Sequence, residues 1–98
     1  MTNYIEHVLF LTLEPMSEEA WEDLHATFMA MKGQVPGIVD LSIGKNISPE
    51  RAQGCTHALR VLLEDQKALT VYADHPAHVL FKNKLRHQRP PICLDWNI

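Results

Sequence analysis

The chain has two cysteines, Cys55 and Cys93, too few for a disulfide framework. Its fold must therefore rest on a packed core, with reduced thiols as in the cytosol. No apolar run approaches the roughly 18 residues that a membrane-spanning helix needs. The opening Met-Thr-Asn-Tyr-Ile-Glu lacks a basic segment followed by a long apolar one, so no secretory signal is expected. Lys and Arg total 9 against 12 Asp and Glu, a formal net charge of −3, and no basic cluster occurs. Nucleic acid and anionic membrane are thus excluded as expected partners. Repeats and low-complexity stretches are absent too. These absences leave one small cytoplasmic domain over residues 1–98. What is plentiful is histidine, with six in 98 residues.

Hydrophobic periodicity supplies the elements. Tyr4 to Leu13 alternates as a strand, with His7, Leu9, Leu11 and Leu13 on one side and Glu6, Val8, Phe10 and Thr12 on the other. Ser17 caps a helix whose stripe is Trp21, Leu24, Phe28 and Met31, with His25 at its margin; Gly33 stops it. A second strand runs from Ile38 to Gly44. A polar loop follows, with a helical turn after Ser48-Pro49, and Cys55 to Leu63 is a third strand. Glu64-Asp65 opens a helix reaching Tyr72, and Pro76 opens another running to about Gln88. After Pro90-Pro91 comes a last strand, Ile92 to Trp96. The order βαββαβ, with an extra short helix, predicts a ferredoxin-like α+β fold. Its helices cover one sheet face only. Val8, Phe10, Ile38 and Leu62 fall on the other, so a second copy is expected to cover it, giving a homodimeric α+β barrel.

The chemistry centres on Tyr72 to Phe81, Tyr-Ala-Asp-His-Pro-Ala-His-Val-Leu-Phe. Pro76 suits a helix's first turn, with Asp74 or His75 as cap. His78 then lies in the opening turn, where the backbone amides oppose protonation and favour a neutral ring able to accept a proton. His78, Phe81 and Leu85 share one helix face, and Tyr72 can reach the same space. His7 and His57 each interrupt an otherwise apolar strand face, as pocket-lining residues would. Leu9, Phe28, Leu59 and Phe81 are candidate walls for an apolar ligand. His75 and His87 are expected to keep solvated rings.

Four segments in order, Glu-His-Val-Leu-Phe, Asn-x-Ser-Pro-Glu, Gly-x-Thr-His-Ala and Tyr-x-x-His-Pro-Ala-His, resemble the stress-responsive dimeric A/B barrel (Dabb) family. The resemblance spans about Ile5 to Trp96. It implies a dimeric barrel, and its members include plant stress proteins and the polyketide cyclase that makes olivetolic acid. Carried over residue by residue, the cyclase's base falls on His78, its assisting phenol on Tyr72, and two pocket histidines on His7 and His57. His25 and Cys55 stand where the cyclase has aromatic residues, which alters the polarity of the substrate-binding surface. The resemblance thus implies cofactor-independent acid/base chemistry on a polyketide-like or phenolic substrate. A second reading is a non-catalytic stress-responsive or ligand-binding homodimer. A third is a metal site built from His7, His57 and His78, although no carboxylate is evident to orient their rings.

Overall fold

The computed structural model describes residues 3–98. The central strand is Ile5–Leu11 (β1), which pairs antiparallel on both sides, with His57–Leu63 (β3) and with Ile92–Asn97 (β4). Ile38–Lys45 (β2) adds to the far edge of β3, so the strand order is β2-β3-β1-β4. Three helices, Glu18–Ala30 (α1), Gln66–Asp74 (α2) and Pro76–Lys84 (α3), complete the ferredoxin-like α+β fold. Local chemistry sets their starts: Ser17 Oγ accepts the Ala20 amide at 3.1 Å, and Asp65 Oδ1 accepts the Ala68 amide at 2.8 Å. No helix among the described residues is long and apolar enough to cross a membrane.

Alternation along the strands divides the sheet into two unlike faces. Leu11, Leu41, Leu59, Val61 and Leu63 pack beneath Leu24, Phe28, Tyr72 and Phe81 in one continuous core. Phe28 and Phe81 meet ring to ring at 5.0 Å. Each such side chain contributes roughly 1.5–3 kcal/mol on burial. The opposite face carries cross-strand rows: Asp40, Leu62, Glu6 and Trp96; then Ser42, Arg60, Val8 and Leu94; then Gly44, Ala58, Phe10 and Ile92. Its β2 side is polar, with Arg60 bonded to Glu6 at 3.0 Å and to Asp40 at 2.9 Å. Its β1–β4 side is apolar and bare, for Phe10, Ile92, Leu94 and Trp96 are all exposed.

Two sequence expectations need correction. Ile38 pairs with Leu63 but Asp40 with Leu62, so Val39 is an extra residue in β2. The bulge shifts the alternation by one and turns Ile38 onto the helix side, where it packs against the core. The last helix also stops at Lys84 rather than near Gln88, because Leu85 turns extended at ψ 128°. Residues 86–88 instead pair with the chain beyond β1, through Glu14 N to Arg86 O and Gln88 N to Thr12 O, both 2.8 Å. Those bonds satisfy backbone groups that would otherwise lack partners.

Candidate active site

The turn between α2 and α3 is fixed by His75. Its Nδ1 accepts the Ala77 amide at 3.0 Å while Pro76 takes the first helical position. One turn on, His78 Nδ1 lies 3.2 Å from the Ala73 carbonyl. A carbonyl only accepts, so Nδ1 carries the hydrogen and Nε2 holds the free lone pair. The ring stacks on Tyr72 with centroids 4.0 Å apart and planes at 26°. Burial holds His78 below the ordinary imidazole pKa; the Ala73 bond opposes this, and Lys82 and His7 add to it. Burial pushes the Tyr72 phenol well above its usual value, with Cys93 adding to the shift, so it stays protonated and able to donate.

His7 meets Tyr72 from the other side, edge-on, with centroids 5.5 Å apart. Its Nδ1 lies 2.5 Å from Asp95 Oδ1. Nδ1–H donates to the carboxylate, the arrangement by which a neighbouring carboxylate orients an imidazole. For His7, though not for His57 or His78, the expectation that no carboxylate orients these rings is overturned. Asp95 was missed because its role depends on register: β1 pairs with β4 so that His7 faces Asp95 and Leu9 faces Cys93. The available signal was the polar alternate set Cys93, Asp95 and Asn97 beside the apolar Ile92, Leu94 and Trp96.

The other candidates do not join this cluster. His57 stands opposite Leu11, whereas His7 stands opposite Val61, so the two are offset by four residues, or about 13 Å along the sheet. It bonds Thr56 Oγ1 through Nδ1 at 2.7 Å and lies 5.1 Å from the Trp21 ring. Burial, with the Lys45 charge, lowers its pKa. The offset rules out a metal site made of His7, His57 and His78 together. Phe28, Leu59 and Phe81 are 0%, 2% and 1% exposed and pack into the core between sheet and helices. Leu9 is half-buried at the core's margin, and His25 is exposed beside Trp21. A cleft of about 610 Å³ does exist, but it lies by His57, Cys55, Phe10, Ile92 and Arg89, and neither Tyr72 nor His78 lines it.

The two depressed histidines give a pH prediction. Folded His57 and His78 titrate below 6.5, the value the unfolded chain approaches. Between the two values the unfolded state binds more protons, so stability rises with pH. Their contribution is complete above about 6.5 and is lost as pH falls through the folded values. The urea midpoint should drop between about pH 7.5 and 5.5, and replacing both His57 and His78 with Gln should flatten that drop.

The family model for the stress responsive A/B barrel domain (Dabb) matches residues 5–98. No curated protein sequence matches significantly. Among solved structures, the hydroxynitrile lyase of Passiflora edulis superposes with a TM-score of 0.86 at 16% identity, over 100% of this chain and 95% of that one. A protein of Arabidopsis thaliana is 26% identical over 94% of this chain and 92% of its own, with a TM-score of 0.79. A dimeric ferredoxin-like protein of unknown function from Thermobifida fusca gives 0.79 at 14% identity, over 100% of this chain and 93% of that one. With the family model spanning nearly its whole length, the chain belongs to the stress responsive A/B barrel (Dabb) family.

Proposed function

We propose that this protein is a cofactor-independent acid/base enzyme of the polyketide cyclase type, with His78 as general base and Tyr72 as the hydrogen-bond donor to the developing enolate. The observation that carries this reading is the tautomer of His78: the Ala73 carbonyl holds the Nδ1 hydrogen, leaving Nε2 as the proton acceptor on a ring stacked against a protonated phenol. Removal of a proton between two carbonyls needs such a base near neutrality and such a donor. His7, held by Asp95 on the far side of Tyr72, is a positioning residue or a second acceptor. Substrates of this chemistry are small polyketide-like or phenolic carbonyl compounds. The working unit is a homodimer joined through the open sheet face, as the bare apolar β1–β4 rows support. A cytoplasmic setting suits the two free thiols.

The filled core favours a second reading, a non-catalytic stress-responsive homodimer in which His78 and Tyr72 only join α2 to α3. Turnover of a panel of linear β-polyketones and hydroxynitriles separates the two. Tyr72→Phe keeps the buried ring and deletes the donor. The catalytic reading expects a loss of about 10²-fold in turnover with little change in thermal stability. No product from any panel member with wild-type protein, or full activity in the variant, supports the second reading.

A further inference from the structure

β4 is an edge strand, and its helix-side groups are exposed rather than covered. Cys93 and Asp95, two residues apart, point to that side, and the register sets His7 of β1 beside them. Their polar atoms converge: His7 Nδ1 lies 2.5 Å from Asp95 Oδ1 and 3.7 Å from Cys93 Sγ, and Cys93 Sγ lies 4.0 Å from Asp95 Oδ1. Cys, His and Asp in contact suggest a nucleophile, base and orienting acid, but the geometry is wrong for that. A relay needs the thiol on one ring nitrogen and the carboxylate on the other. Here both approach Nδ1, which has one position to offer.

Three ligand atoms closing on one point is instead what a metal ion requires. We propose that His7, Cys93 and Asp95 bind a zinc-type divalent cation, with the fourth position open to solvent or a small ligand. Thiolate, imidazole and carboxylate are the zinc donor types, and three protein ligands with one open position is a familiar zinc arrangement. Tetrahedral bonds of about 2.0–2.3 Å put ligand atoms roughly 3.3–3.6 Å apart. The two distances to sulfur lie within about half an ångström of that range. The shorter nitrogen–oxygen distance is that of a hydrogen bond, and it widens when a cation replaces the shared hydrogen. On binding, the Cys93 thiol loses its proton and the His7 hydrogen moves to Nε2, so uptake releases a proton. The ligands sit on two hydrogen-bonded strands, which holds them without loop ordering.

Cobalt(II) titration of the chelator-free protein tests this, with a spectrum as readout that is independent of any acid/base activity. The expected result is one cobalt per chain, with a thiolate-to-cobalt charge-transfer band and intense tetrahedral d–d bands, displaced by zinc. Cys93→Ser, at an exposed position, should fold normally and abolish the charge-transfer band, whereas Cys55→Ser should retain it. Asp95→Asn should weaken binding at least about tenfold. A wild-type protein without the band, a band that survives Cys93→Ser or is lost in Cys55→Ser, or unchanged affinity in Asp95→Asn would overturn the proposal.

Discussion

Replacing His78 with Gln is expected to lower turnover about 10²–10⁴-fold, the usual contribution of a positioned general base. Gln can still donate to the Ala73 carbonyl, so the turn between α2 and α3 keeps its hydrogen bond. The half-buried site tolerates the smaller group, which leaves chemistry as the principal loss. Because proton removal happens only in the transition state, kcat and kcat/KM should fall together while KM stays near its wild-type value. The wild-type acid limb should lie below about pH 6.5, since burial depresses this imidazole, and the variant should lack that limb. A folded variant that turns over at the wild-type rate would remove His78 from the mechanism.

Leu94→Asp is expected to convert the proposed dimer into a monomer. Leu94 lies in the middle row of the open face beside Val8, 54% exposed in the isolated chain, and its side chain points away from His7 and Asp95. An isologous interface presents each residue twice, so one substitution buries two carboxylates among Phe10, Ile92, Trp96 and their copies. A cost of about 2 kcal/mol at each raises the dissociation constant roughly 10³-fold. Sedimentation equilibrium at micromolar concentration measures this directly. A wild-type monomer, or a dimer unaffected by the variant, would show that the open face is not the interface.

Much of this was legible in the linear sequence because it is local. Ser17 and Asp65 cap the helices they precede, Pro76 opens α3, and the turn at His75-Pro76 fixes His78 in the first helical turn. Spacing alone also separated the buried strand faces from the apolar rows that a second chain is proposed to cover. Harder to read was Ile38, whose side depends on one bulged residue that leaves no composition signal. The end of α3 was equally hidden, since it is set by pairing with Thr12 and Glu14, far away in the chain.

The sequence by itself determined the element order, the sheet's two unlike faces and the placing of His78 in the first turn after His75-Pro76, because caps, prolines and alternation act between near neighbours. Only the tertiary structure decided that Asp95 holds His7 across 88 positions, that His57 stands apart, that burial depresses His78, and that Phe28 and Phe81 meet ring to ring in the core. The physical reason is register: strands distant in sequence choose their partners by the packing of the whole sheet, and no single segment encodes that choice.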